Sequence, residues 1–301
     1  MPQLDNNTQN KFLQTANTTA PLLFSALATP FKHGKLHLPS LEVLLSKQMC
    51  KQVDGVVALG TTAESGQLTD EEKAQILSTV NLLYNRPIVV GVSAQNEFCL
   101  LSQAEFALRH GASALLVSPP AFCKCTSDGY IKLLLKLKRQ FDVPTILYNV
   151  PSRVGYSLDH SIVNALAEKG VNFVKECATD GNLIACADGR YRCFSGNDEA
   201  LTKHMSQGAS GTISVVSNVY PILTKQILTD TSKDAYSAHA VSRFNAVAKL
   251  CSLQTNPVAV KYLLYKTGIF ATPEMRLPLT SANKRTRRLV DEFLQREPNK
   301  R

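Results

Sequence analysis

The feature that most restricts this chain is a series of eight short apolar runs, rich in β-branched residues, along its first 215 positions. They occupy 22–27, 55–59, 87–92, 113–117, 144–148, 172–176, 191–195 and 211–215. Most are apolar throughout rather than alternating, the pattern of parallel strands covered on both faces. Helical patterns separate them. Leu41, Leu44 and Leu45 recur at helical spacing, as do Ile76, Val80 and Leu83, and Leu100, Ala104 and Leu108. Thr69 before Glu71 and Glu72 reads as an N-cap with an acidic first turn. Eight strands alternating with helices predict the α/β class and a closed (β/α)8 TIM barrel. An open doubly wound sheet is expected to show a Gly-rich GxGxxG turn or a P-loop, and neither occurs. After Val215 only helical patterns follow, near 221–229, 233–253, 257–267 and 282–295. The expected organisation is a flexible N-terminal arm over 1–20, a barrel over 21–230 and a C-terminal helical extension over 231–301.

Charge and composition narrow the function. The net charge of +9 raises nucleic acid as a partner. Eight Lys or Arg against three Asp or Glu lie between 276 and 301, however, so much of the excess sits in one helical tail. Without interleaved aromatics that is a solvated face, and no nucleic-acid partner is expected. No apolar run reaches the roughly 18–20 residues of a membrane span, so no membrane partner is expected. The polar N-terminus lacks a basic start followed by an apolar run, so a cytoplasmic location is expected rather than secretion. The eight cysteines are scattered without a CxxC pair, and a chain of this length needs no disulfide staples. Cys123 and Cys125 have no histidine or second pair nearby, so no metal is expected.

In a (β/α)8 barrel the chemistry lies at the C-terminal ends of the strands. Lys175 follows Asn172-Phe173-Val174 and so ends an apolar strand. A lysine must be neutral to attack a carbonyl, and an apolar cavity favours the neutral amine. The alternative is a strand-end lysine paired with a carboxylate. Tyr148 ends the preceding strand, where a phenol could pass protons to a carbinolamine or merely pack. Thr61 and Thr62 follow Gly60 at the second strand's end, where hydroxyls and amides could hold a carboxylate or simply turn the chain into a helix. Arg153 could pair bidentately with a substrate carboxylate or form a surface salt bridge.

Taken together these segments resemble the dihydrodipicolinate synthase / N-acetylneuraminate lyase family, from about Pro21 to Leu294. Residues 60–65 are similar to its GTTGES, 148–155 to its YNVPSRTG, and 174–183 to its IKEATGNL with insertions. Asn256-Pro257 and Arg276-Leu277-Pro278-Leu279 resemble late family signatures. The paired threonines and the Ser152-Arg153 dipeptide resemble the synthase branch. The resemblance implies condensation of pyruvate with aspartate-4-semialdehyde on the route to diaminopimelate and lysine. It implies that Lys175 forms the Schiff base, that Tyr148 and Thr61 relay protons, and that Thr62 holds pyruvate's carboxylate. It further implies that Arg153 binds the semialdehyde and that Ile213 packs beside the imine. No metal or organic cofactor is implied, and a homo-oligomer is, either a dimer or a tetramer built as a dimer of dimers. Two alternatives remain: a related Schiff-base aldolase acting on a sugar-derived keto acid, and a non-catalytic keto-acid-binding protein.

Two departures from the family stand out. Its fourth-strand loop reads TPYY, and the second tyrosine completes a neighbouring subunit's relay; here Ala121 or Phe122 takes that place, without a hydroxyl. Ala63 replaces a glycine, which would tilt the turn if that position needs positive φ. Asp70, Lys73, Gln95, Cys99 and Pro120 differ from the residues with which lysine-inhibited relatives bind lysine, so weak or absent lysine inhibition is expected.

Overall fold

The computed structural model of the protein describes residues 6–50, 53–231 and 237–296. Every one of the eight apolar runs forms a strand. They are β1 (Leu22–Ala26), β2 (Gly55–Ala58), β3 (Ile88–Val92), β4 (Ala114–Val117), β5 (Thr145–Asn149), β6 (Phe173–Glu176), β7 (Arg192–Ser195) and β8 (Gly211–Ser214). They close into a barrel, with β1 beside both β2 and β8. The pairings are parallel, as in Ala114 opposite Val89 and Lys175 opposite Tyr148. Strand residues such as Val56, Val89, Leu115, Ile146 and Val174 are at most 1% exposed, which is why their sequences carry no alternation.

The helix expected after Thr69 runs over Asp70–Leu83 and opens with a complete capping box. The Thr69 hydroxyl accepts from the Glu72 amide at 3.2 Å, and the Glu72 carboxylate accepts from the Thr69 amide at 3.1 Å. Beyond β8 come helices Pro221–Thr231, Ala238–Cys251, Val258–Lys266 and Lys284–Arg296. The sequence places the start of the second of these at 233, and residues 232–236 lie outside the described residues.

By internal contacts the chain divides into two compact units, Met1–Leu23 with Arg86–Ile213, and Phe24–Asn85 with Ser214–Arg301. The first holds a feature the sequence reading did not anticipate. The segment expected to be a flexible arm contains helix Asn6–Ala16. Phe12 is fully buried, with its ring edge-to-face on Phe173 at 5.0 Å between centroids. Burying a Phe stabilises by about 1.5–3 kcal/mol, enough to hold one end of a helix whose other residues, Leu13 and the buried Ala16 apart, are polar. The Arg192 guanidinium donates to the Ala16 carbonyl at the end of the same helix.

Gly211 shows why one strand must begin on glycine. Its φ is +141°, and a Cβ there would lie 2.1 Å from the Leu22 carbonyl oxygen. The approach is fixed by the Leu22 amide donating to the Ser210 carbonyl at 3.1 Å. Gly211→Ala is expected to cost roughly 3 kcal/mol or more, because backbone rather than a pliant side chain blocks the methyl. Urea unfolding would measure it, and a loss under about 1 kcal/mol would contradict the close approach.

In the second unit, Phe31–Lys32 and Lys35–Leu36 form a small antiparallel hairpin. His33 and Gly34 both take positive φ, at 53° and 75°, as a tight two-residue turn requires. Phe31 is 1% exposed.

Candidate active site

β5, β6 and β7 lie side by side in register. One row across them is Tyr148, Lys175 and Phe194, and the next is Asn149, Glu176 and Ser195. Alternation sends the two rows to opposite faces of the sheet. In the first row Lys175 is 7% exposed, and its Nζ lies 4.5 Å from the centroid of the Tyr148 ring. In the second row the Glu176 carboxylate accepts from Asn149 Nδ2 at 2.9 and 3.0 Å and from the Ala178 amide at 2.7 Å. Asn149 Oδ1 in turn accepts from the Leu158 amide at 3.0 Å. Glu176 thereby ties together the ends of the two strands that carry Tyr148 and Lys175. Burial raises its carboxyl above the ordinary carboxylate range.

The electrostatics of Lys175 depart from the sequence expectation. Burial alone pulls the amine down, but nearby Tyr148, Cys177 and Asp198, with a hydrogen bond to the Tyr148 side chain, hold it above the ordinary lysine value. Polar partners thus outweigh the desolvation inferred from the apolar run. The resting amine carries a proton that must leave before it can attack a carbonyl, and the Tyr148 oxygen is the group bonded to it.

Gly196 and Cys177 complete the packing around this lysine. A Cβ on Gly196 would lie 2.4 Å from Cys177 Sγ and 2.6 Å from Lys175 Cε, so the lysine stem occupies space that only glycine leaves free. The Cys177 thiol donates to the Gly196 carbonyl at 3.3 Å, and burial pushes it up, so it stays a thiol. Neither residue was singled out from the sequence for this packing, since strand periodicity says nothing about which residue abuts a lysine stem.

The other predicted residues are placed as follows. Arg153 is exposed on the short helical turn Pro151–Val154, which Gly155 ends with φ 68°. Ile213 is 1% exposed in β8. Phe122 is 97% exposed with φ 63° and Ala121 is partly buried, so the fourth-strand loop presents an apolar ring, not a phenol, to its surroundings. Thr61 and Thr62 open a short 3-10 turn, Thr61–Ala63, after β2; Thr62 is 4% exposed. The tilt expected from Ala63 does not arise, because the left-handed residue is Glu64, at φ 53° and ψ 40°. Among the described residues no cluster of three or more His, Cys, Asp or Glu could hold a metal.

The turn bearing Thr61 and Thr62 has partners that the sequence reading missed. Glu64 is 2% exposed, and its Oε1 accepts from Lys261 Nζ at 2.6 Å. Its Oε2 accepts from the Arg276 amide at 3.1 Å. Asn256 Nδ2 donates to Thr62 Oγ1 at 2.9 Å. The Arg276 guanidinium grips both Glu72 carboxylate oxygens and the Gln67 carbonyl. Lys261 and Arg276 also cover the Phe31 ring, each 4.3 Å from its centroid. One signal was available: Lys261 interrupts the apolar run Val258-Ala259-Val260 and Tyr262-Leu263-Leu264, and a charge so placed needs a buried partner.

His204, fully buried, brings its Nδ1 within 2.9 Å of Ser195 Oγ on the strand beside β6. Burial lowers its imidazole below the ordinary value. The unfolded chain therefore binds a proton that the folded chain does not once pH falls below about 6.5, and stability drops in that window. Between about pH 7.5 and 5 the urea midpoint should fall more steeply in wild type than in His204→Gln; equal slopes would count against a neutral buried imidazole.

With this geometry in place, comparison with known proteins decides the family. The model of the dihydrodipicolinate synthetase family matches residues 21–297. The chain belongs to the dihydrodipicolinate synthetase family. Among its relatives in that family, the 4-hydroxy-tetrahydrodipicolinate synthase of Rickettsia bellii is 30% identical over 283 residues, covering 90% of this chain and 95% of the relative. That of Bdellovibrio bacteriovorus is 33% identical over 266 residues, covering 85% and 90%. The dihydrodipicolinate synthase of Thermotoga maritima superposes with a TM-score of 0.86 at 28% identity, covering 93% of this chain and 99% of that one. A chloride-inhibited family enzyme from Acinetobacter baumannii, solved with pyruvate, superposes equally well at 28% identity, covering 92% and 98%.

Proposed function

We propose that this protein is a class I lyase that condenses pyruvate with L-aspartate-4-semialdehyde through a Schiff base on Lys175, in lysine and diaminopimelate biosynthesis. The observation that carries the reading is the Lys175–Tyr148 pair: a buried amine at the end of β6, bonded to a phenol directly across on β5. In the proposed sequence Lys175 gives up its proton and Nζ attacks the keto carbon of pyruvate. The carbinolamine loses water to give a protonated imine, an electron sink. The methyl carbon then loses a proton, and the resulting enamine attacks the aldehyde carbon, whose oxygen takes up a proton. Ring closure by the semialdehyde's own amine displaces Lys175 as a free amine.

In this scheme Tyr148 moves protons on and off the carbinolamine, and Thr61 extends the relay. Thr62 holds the pyruvate carboxylate. Arg153, exposed on its turn, takes the carboxylate of the second substrate, where a guanidinium binds bidentately. Ile213 packs beside the imine. A cytoplasmic homo-oligomer, a dimer or a tetramer, belongs to the same proposal.

The test supplies both substrates and looks for the cyclised product by mass and ultraviolet absorbance. A chain that takes up pyruvate but forms product only with sugar-derived aldehydes would instead be an aldolase of the same family. The hydroxyl-free loop at Ala121 and Phe122 is the observation on that side.

A further inference from the structure

The link between Asn256 and Thr62 has a direction, and the direction matters for an anion. Thr62 Oγ1 is the acceptor and Asn256 Nδ2 the donor, at 2.9 Å. A hydroxyl has one proton to give. If Thr62 spent it on Asn256, none would be left for a ligand. Because Thr62 accepts there, its proton remains available, and a proton donor is what a carboxylate needs.

The surroundings hold Asn256 in this relation to the turn. Pro257, the next residue, caps the helix Val258–Lys266, whose fully buried Lys261 bonds to Glu64 at 2.6 Å, two residues beyond Thr62. The same short turn is thus held at two points by one helix and the residue just before its cap. Glu64 is left-handed, so the peptide after Ala63 is turned sharply, and its carboxylate is fixed from two sides.

We propose that Asn256 is a positioning residue that keeps the Thr62 hydroxyl a donor toward the carboxylate of a 2-keto acid. The inference rests on the Schiff-base reading above and deepens it: it assigns the polarity of the carboxylate subsite to a residue outside the barrel strands. Asn256→Asp reverses the polarity, because an ionised carboxylate only accepts and draws the Thr62 proton toward itself. Asn256→Ala removes the partner but leaves the proton free, so it costs less. The side chain is half-buried, so both variants are expected to fold.

The experiment titrates pyruvate against wild type, Asn256→Ala and Asn256→Asp at pH 8, trapping the adduct with borohydride and reading the modified fraction by mass. Melting temperatures are taken alongside. Half-saturation should rise a few-fold for Asn256→Ala and roughly tenfold to a hundredfold for Asn256→Asp, the range of a hydrogen bond to a charged group. The fraction trapped at saturation should stay near wild type, since Lys175 is untouched. A purely structural role would instead lower the melting temperature and the saturating fraction together, leaving half-saturation alone. Half-saturation at the wild-type value in both variants overturns the inference while leaving the Schiff base intact. A wild type that forms no adduct overturns both. Should Asn256→Asp not fold, Asn256→Ala decides: a raised value supports the assignment, an unchanged one ends it.

Discussion

Incubated with pyruvate and reduced with borohydride, the wild-type protein is expected to gain one pyruvate, less a water and plus two hydrogens, and Lys175→Ala to gain nothing. Turnover should fall by at least about a thousandfold in the variant, the scale seen when a covalent nucleophile is removed. The test is sharper than it first looks, because the chain has a second buried lysine. Burial pulls Lys261 down to about 8, whereas Lys175 is held above the ordinary lysine value. On acidity alone Lys261 would be the better nucleophile at neutral pH. Geometry argues the reverse: Lys261 is fully enclosed and bonded to Glu64, while Lys175 keeps 7% exposure at a strand end beside a phenol. Access and a proton-accepting neighbour outweigh the resting acidity, since the Tyr148 oxygen lies against the Lys175 amine and can take its proton when a keto acid is bound. Peptide mapping of the adduct to Lys261 would refute this ordering.

The largest expected stability effect belongs to that second lysine. Lys261→Met leaves the Glu64 carboxylate buried and without its cation, and a loss of about 3–5 kcal/mol is expected. Adding Glu64→Gln should restore most of it, to within about 1–2 kcal/mol of wild type, because two neutral side chains of similar size owe no desolvation of charge. Chemical unfolding of the two single variants and the double variant makes the measurement. Additive losses would mean that the 2.6 Å contact carries no coupling.

Much of the barrel was legible because its rules are local. A strand covered on both faces is apolar at most of its positions, so all eight runs could be seen in the sequence. The N-cap at Thr69 with its acidic first turn was similarly visible, and the structure adds the reciprocal bond from Glu72. What escaped is what depends on distance along the chain. Phe12 looks like a lone aromatic in a polar segment until Phe173 is set beneath it. Lys175 visibly ends an apolar strand, yet nothing in that strand reveals that Cys177, Asp198 and the Gly196 backbone crowd its amine and stem. Glu64 meets Lys261 across 197 positions and Thr62 meets Asn256 across 194, separations at which periodicity carries no information.

Those separations bear on synthesis. A nascent chain that has emerged as far as Ser214 already holds all eight barrel strands, including Lys175, but none of Asn256, Lys261 or Arg276. At that stage Glu64 lacks Lys261, and the turn after β2 lacks all three of its ties from the last third of the protein, to Asn256, Lys261 and Arg276. Contacts this far apart close late, after the local ones have formed. The growing chain therefore carries Lys175 before the Thr62 turn acquires the side chains that tie it in place.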